Sequence, residues 1–380
     1  MCACIRQFAF PNACPIGIRR PNAAHAQPDP NASAASRAKE KMTYANPRWG
    51  GIILNPDDGY ILRAGDEVLV VAEDDDTYEA EAPARPPAAE LPQWSLPQKT
   101  NDNVLLLGWR RDLYDMLQEL DKYVQRGCNV TVLAPVAVDE RQALLEAGKV
   151  GPLRLRNIEL HHVCGSTTYR RDVEAVMRTH VFSSVLVLAV EGGGGARTTS
   201  SSSASDADSR ALTTLLLVRD IRESFEQVHR SGHGERAGSP PAQSEDFTLL
   251  GEILDAETKD LVAAAGVSDV IMSNRLMSKV MAMVAEADAV GPLFEQLFAE
   301  EGDEIYVRDI RYYCAPGEQL SFWELASLAR VRGDIAIGYK RGSNEAVLNP
   351  AVKDARILWS EGDYLIVLGD DNPDDDDDDA

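Results

Sequence analysis

The segment Asn103–Asp112, NVLLLGWRRD, has the form of the first strand and turn of a nucleotide-binding βαβ unit. Such a turn holds a pyrophosphate when glycines let the backbone approach it, in the pattern G-x-G-x-x-G. Here Gly108 is followed by Trp109, Arg110 and Arg111. A second requirement is an acid at the end of the next strand, to bind the ribose hydroxyls. Ala134 and Pro135 stand there, and Asp139 and Glu140 come several residues later. Two independent parts of the fingerprint are missing, which disfavours NAD(P) binding. Arg110 and Arg111 lie where a helix N-terminus could meet an anion. The plainer reading pairs them with Asp112, Asp115 or a neighbouring subunit. Trp109 has the bulk to fill the space of a cofactor. Gly108, Trp109, Arg110, Arg111 and Asp112 are therefore read as packing and assembly residues.

Four acids are candidates for a hard cation such as Ca²⁺, which takes several oxygen ligands. Asp206 and Asp208, and Glu252 and Asp255, fall where strands and helices of an α/β unit end. Helix capping explains Asp206 and Asp208 equally well. Other chemistry is weakly supported. EGGGGARTTSSS from Glu191 lacks the Gly-Lys-Ser/Thr of a phosphate loop and reads as an expanded surface loop. His229 and His233 stand four apart in Gly/Ser/Pro-rich sequence without the intervening glutamate of H-E-x-x-H, and read as loop histidines. His161 and His162 alternate across a strand and read as structural. The six cysteines (Cys2, Cys4, Cys14, Cys128, Cys164 and Cys314) form no C-x-x-C pair, so free thiols are expected. No catalytic residue is assigned.

The elements that must position these residues are legible in the pattern. Strands are expected at 104–107, 129–135, 158–163, 183–190, 248–255 and 268–274. A helix carries Leu113, Met116, Leu117, Leu120 and Val124 at helical spacing, with Gly127 as its stop. Another is expected over 206–221, with irregular sequence over 229–246. Strands alternating with helices predict a Rossmann-like, doubly wound parallel sheet over 103–274. Two helices follow within 275–302, and a small α+β lobe of short strands over 303–370. The 380 residues, 44% of them apolar, suffice for two or three units.

An internal repeat organises the chain. ILRAGDEVLVVAEDD, from Ile61, matches ILWSEGDYLIVLGDD, from Ile357, and LNP precedes each, at Leu54 and Leu348. The first copy, 46–76, reads as the end of a lobe like the last one. Residues 1–45 read as a disordered leader, with a transit peptide as a minority reading. The Pro/Ala-rich 77–102 reads as a linker, and 371–380 as a solvated acidic tail. A net charge of -23 argues against a nucleic-acid-binding surface. No apolar run reaches the roughly 18 residues of a membrane span.

GWRRD, ADSRALTTLLLVRDI, QVHR, EILDAETKDL, SNRLMSKVMAMVAE and LFAEEGDE, with IAIGY and LNP downstream, occur in order across 103–370. Together they resemble the CASTOR/POLLUX ion channels of plants and algae. Arg210, inside the second of these motifs, joins the assembly residues. The resemblance implies an RCK-type (regulator of K⁺ conductance) fold and a non-enzymatic, ligand- or calcium-sensitive gating-ring module. It implies a homo-oligomer, tetrameric in a full channel, with the pore supplied by a longer chain, and residence at the nuclear envelope. The chain departs from the family in showing no pore helices or selectivity filter, and in a shortened, Gly/Ser/Pro-rich region after Ile221. The alternatives are a soluble NAD(P)-binding oxidoreductase or NAD sensor, and a soluble interaction protein without a channel.

Overall fold

A computed structural model describes residues 10–20, 51–56, 64–74, 103–110, 112–124, 126–146, 153–189, 204–230, 247–264, 270–287, 290–298, 302–342 and 344–369, with positions 58, 60, 62, 79 and 81. The expected linker, acidic tail and Gly/Ser loop lie almost wholly outside these residues. The chain divides into two compact units. One is 99–282; the other combines 1–98 with 283–380.

The 99–282 unit is a six-stranded parallel sheet. Its strands are β4 (Asn103–Leu107), β5 (Cys128–Ala134), β6 (Ile158–Cys164), β7 (Ser184–Val187), β8 (Thr248–Ile253) and β9 (Val270–Met272), in the order β6-β5-β4-β7-β8-β9. Every neighbouring pair is parallel. All six strands fall where the apolar runs predict them. Leu105, Leu106, Leu107, Val130, Val132 and Leu133 are buried. Near-continuous apolar strands are what a sheet covered on both faces requires. The helices are α1 (Leu113–Tyr123), α2 (Val138–Glu146), α3 (Arg170–Met177), α4 (Ala204–Arg230) and α5 (Ala256–Ala264). Gly251 lets α4 lie close on β8, since a Cβ there would sit 2.5 Å from Leu215 Cδ1.

Helix α4 corrects one expectation. It does not stop near Ile221 but continues to Arg230, so His229 lies in its last turn and not in a loop. The apolar stripe of Leu215, Val218 and Ile221 is extended by buried Phe225. Arg222 and Arg230 both pair with Glu226 at i,i+4 spacing, each at 3.0 Å. A cationic last turn also suits the helix dipole. His233 lies outside the described residues.

Helix α6 (Ser273–Glu286) crosses the division between the units and has no buried residue; Leu276, Met277 and Met281 are exposed. Helix α7 (Val290–Leu297) belongs to the second unit, where Leu293 and Leu297 pack on its core. The C-terminal lobe there has a four-stranded antiparallel sheet of order β10-β15-β12-β13: β10 (Glu304–Asp309), β12 (Ile335–Arg341), β13 (Val347–Leu348) and β15 (Asp363–Gly369). A two-stranded sheet of β11 (Gln319–Ser321) and β14 (Arg356–Leu358) flanks α8 (Phe322–Val331). A capping box starts α8: Ser321 accepts from the Glu324 amide and Glu324 from the Ser321 amide.

The expected leader is corrected too. Cys14–Arg19 is not disordered but forms β1, the central strand of a sheet ordered β2-β1-β3, with β2 at Ile52–Leu54 and β3 at Glu67–Val71. CPIGIR is short and interrupted by Pro and Gly, so it carries no alternation. Its partners lie more than thirty residues downstream, and only tertiary pairing makes it a strand.

With β1 restored, the repeat extends well beyond the sequence match. Gly17 on β1 opposes Leu54 and Leu69; Gly338 on β12 opposes Leu348 and Ile366. Both central strands bulge one residue before that glycine, between Pro15 and Gly17 and between Ala336 and Gly338. A Cβ on Gly17 would meet the Ile53 carbonyl at 2.7 Å, and one on Gly338 would strike the equivalent Val347 carbonyl. The two LNP asparagines take left-handed backbone, φ 39° at Asn55 and 44° at Asn349. Their amides donate to Ile16 O at 2.9 Å and Ile337 O at 2.8 Å. Each side chain then reaches the other copy. Asn55 Nδ2 donates to Gly333 O at 2.7 Å, and Asn349 Nδ2 to the counterpart carbonyl, Asn12 O, at 2.8 Å. The two copies thus contact each other reciprocally over one shared core.

Candidate functional site

Ligands of open α/β sheets bind beyond the carboxyl ends of the strands, where the strand order reverses. Here that point lies between β4 and β7. Gly108 leaves β4 at φ 127° and donates its amide to Leu133 O at 3.0 Å. Trp109 follows and is buried among Leu106, Leu113, Val132, Ala134 and Leu188.

Beside it lies a residue that sequence reasoning missed. Arg141, on α2, is fully buried at 0% exposure. It has no carboxylate bonded to it; its guanidinium donates to Val136 O at 2.9 Å, Val132 O at 3.1 Å, Ala134 O at 3.4 Å and Val163 O at 2.8 Å. These are carbonyls at the ends of β5 and β6, where a ribose would lie in a dinucleotide enzyme. The guanidinium carbon stands 5.8 Å from the Trp109 ring centre, and His162 makes an edge contact with Trp109 at 6.2 Å. Burial lowers the pKa of Arg141, and burial with the adjacent Arg141 charge lowers that of His162. The signal in the sequence was one arginine in VDERQALLE, a stretch with no clear apolar face. Nothing local marks it as the buried one.

The other half of the edge is held by charge pairs. Arg110 Nε and Nη2 donate to Asp112 at 2.8 and 2.6 Å, and Nη1 bonds Glu252 across the switch point. Glu252 also accepts from the Ala189 amide at 3.1 Å. Burial opposes the charge on Arg110, but its bonds to Asp112 and Glu252 outweigh it and hold the pKa above the usual arginine value. Asp112 precedes α1 without capping it, because its carboxylate serves Arg110. Asp208 is fully buried and accepts from the Leu254 and Asp255 amides, both at 2.8 Å, tying α4 to the loop after β8. Asp255 accepts from the Glu257 amide at the start of α5.

Three of the four cation candidates, Glu252, Asp208 and Asp255, are therefore engaged elsewhere. Glu252 serves Arg110, Asp208 serves two amides, and Asp206 and Arg210 are exposed on α4. Among the described residues no three His, Cys, Asp or Glu side chains are grouped so as to share a metal ion. Arg111 lies outside the described residues. No disulfide joins the four described cysteines. No helix among the described residues is long and apolar enough to cross a membrane.

A six-stranded parallel sheet followed by helices and a small antiparallel lobe is an RCK-type gating-ring fold. The chain superposes on a solved structure of the human SLO3 gating ring with a TM-score of 0.54 at 11% identity, covering 95% of this chain and 61% of that one. At that identity the likeness is one of fold. The sequence supplies the family. Residues 41–87 match a family described as Castor and Pollux, part of voltage-gated ion channel. The chain is 39% identical over 332 residues to the ion channel CASTOR of Lotus japonicus, covering 84% of this chain and 38% of that protein. It is 34% identical over 374 residues to the probable ion channel POLLUX of Oryza sativa subsp. japonica, covering 95% and 35%. The chain is thus a homologue of the CASTOR/POLLUX ion channels and spans a little over a third of their length.

Proposed function

We propose that this chain is a regulatory, gating-ring-type module of a CASTOR/POLLUX-like cation channel, acting through assembly and not through catalysis. The observation that carries the reading is the filled carboxyl edge. A Rossmann-like sheet can bind a dinucleotide only if the backbone reaches the pyrophosphate and an acid meets the ribose. Here Trp109 and Arg141 take those places, and the Arg110–Glu252 pair crosses the switch point. Homology to ion channels over most of the chain gives the scaffold its role. The exposed apolar residues of α6 support self-association into a ring, tetrameric in the full channel, with the pore supplied by a longer chain. The family resemblance supports the nuclear envelope as the membrane served. Calcium is the ligand to test first. A site at the four acids would have to draw Glu252 from Arg110 and Asp208 from two amides, so binding there would remodel the edge.

The test replaces the matching segment of a CASTOR-type channel with this chain and records single-channel currents in planar bilayers. The expected result is assembly and currents that respond to calcium on the ring side, with no effect of NADH. Loss of assembly with the pore would overturn the module reading. Currents blind to calcium would remove calcium as the ligand. Saturable NADH binding by the chain would favour the dinucleotide alternative.

A further inference from the structure

The β5–β6 end of the carboxyl edge brings together a buried cation and an exposed thiol. Arg141 has 0% exposure, and among the described residues no carboxylate meets it. Its bonds go to carbonyls, with the His162 ring at 3.5 Å. Carbonyls satisfy N–H groups but do not neutralise a charge, and a buried charge without a counter-charge is costly. Cys164 ends β6 and is the one exposed thiol among the four described cysteines. Its neighbour Val163 accepts from Arg141 at 2.8 Å, and its sulfur lies 4.0 Å from Pro135 O. Of the ionisable side chains around Arg141, Cys164 is the one whose interaction favours the guanidinium charge. Asp172, which lies against Gly165, is bonded instead to the Ser166 amide at 2.9 Å and to Arg171 at 3.3 Å. The other thiols are placed differently. Cys14 and Cys314 are buried in the second unit, and burial pushes their thiols up to about 11 and about 12. Cys128 is buried at the opposite end of β5, level with Ile158, whereas Cys164 is level with Ala134. The strand between those two levels sets the sulfurs about 20 Å apart, far beyond the reach of a disulfide.

We propose that Cys164 is a peroxide-sensitive modification site whose oxidised, anionic form is held by Arg141. The sulfur attacks one oxygen of hydrogen peroxide, an S–O bond forms and the O–O bond breaks. The hydroxide released takes up the thiol proton as water, leaving a sulfenic acid. With no described thiol in reach to condense with it, the sulfenic acid consumes a second peroxide in the same way. The product is a sulfinic acid, which gives its proton to solvent. The sulfinate supplies the counter-charge that Arg141 lacks, in a charge-assisted hydrogen bond. Oxidation would thereby fasten the end of β6 to α2. The inference stands on these two side chains and does not require the channel reading.

The test titrates the full chain with hydrogen peroxide and maps its peptides by mass spectrometry. Among Cys14, Cys128, Cys164 and Cys314, the Cys164 peptide is expected to react first and to gain two oxygen atoms. A Cys164→Ser chain treated in parallel accounts for oxidation at other residues. A second measurement needs no oxidant and compares Cys164→Asp, which carries a fixed anion, with its neutral isostere Cys164→Asn. Because Cys164 is exposed, both variants are expected to keep the far-ultraviolet circular dichroism of the parent. The unfolding equilibrium constant of Cys164→Asp should be about tenfold lower than that of Cys164→Asn, the effect of one charge-assisted hydrogen bond. Earlier oxidation of any of the other three thiols would overturn the proposal. So would arrest at one oxygen atom, or a Cys164 disulfide between two copies of the chain. An aspartate variant no more stable than the asparagine variant would show that Arg141 does not hold an anion there, and would overturn it as well.

Discussion

The two halves of the carboxyl edge solve one problem by opposite means. On the β5–β6 side, Arg141 is fully withdrawn from water and neutralised by no bonded carboxylate, its hydrogens spent on backbone carbonyls. On the β7–β8 side, Arg110 stays partly wet and meets two carboxylates. A buried cation on carbonyls is a structural plug: removing it takes a donor from several buried acceptors, of which Ala134 O alone is shown to keep another, the Gly165 amide. A half-exposed ion pair is a latch that salt, protons or a competing cation can loosen. The difference teaches where a ligand could act. A gating ligand would be expected to move the latch and leave the plug in place.

That contrast breaks most directly at Arg141. Arg141→Met should cost about 3 kcal/mol or more, because buried carbonyls lose their donors. Its midpoint in denaturant, followed by circular dichroism, should fall steeply and equally at low and high salt. A loss under about 1 kcal/mol would mean that the carbonyls are rehydrated and the plug is no plug. Trp109→Gly should come next, at about 3 kcal/mol for the cavity left behind. Calorimetry with NADH should show no heat for this variant; a measurable dissociation constant would mean that tryptophan alone excluded the cofactor. Asp208→Ala should cost about 2 kcal/mol through two orphaned amides, read as an early loss of hydrogen-exchange protection at Leu254 and Asp255. Arg110→Ala should cost about 1 kcal/mol, shrinking as salt rises; a cost independent of ionic strength would remove the distinction between latch and plug.

The smallest effect is one of pH. His162 is held below the ordinary histidine pKa by burial and by Arg141. The folded protein therefore binds this proton less readily than the unfolded chain. Stability from this group is complete above about pH 6.5 and is lost as pH falls through the lower folded value. Between pH 7 and 5 the parent should lose more stability than His162→Gln. Parallel pH profiles would show that His162 does not feel the Arg141 charge.

Much of this was legible in the residues themselves. The six parallel strands announce themselves as apolar runs, because a strand buried on both faces needs apolar side chains throughout. The failure of the dinucleotide fingerprint at Trp109 and Ala134 was legible for a similar reason, since a phosphate cradle depends on residue types at fixed spacing. The later course of α4 was less so, because its last turns rest on charge pairs and a single Phe225 in sequence that otherwise resembles a loop. The cation candidates were well placed as acids at the edge. What they bond to depends on neighbours from other elements, such as Arg110 for Glu252 and the Leu254 amide for Asp208.

The sequence by itself determined the parallel sheet, the absence of a glycine cradle, the family resemblance and the existence of a repeat, because each is written in local periodicity or residue identity. Tertiary structure alone decided which arginine is buried, which acid is committed, and that CPIGIR is the missing central strand of the first copy. Those outcomes depend on what lies opposite each residue across a sheet or core, with partners from a few residues away for Arg141 to hundreds for the two asparagines. The same dependence leaves Leu54 covered and Leu348 bare, although each follows the same bulge, pairs with the same glycine and precedes the same Asn-Pro.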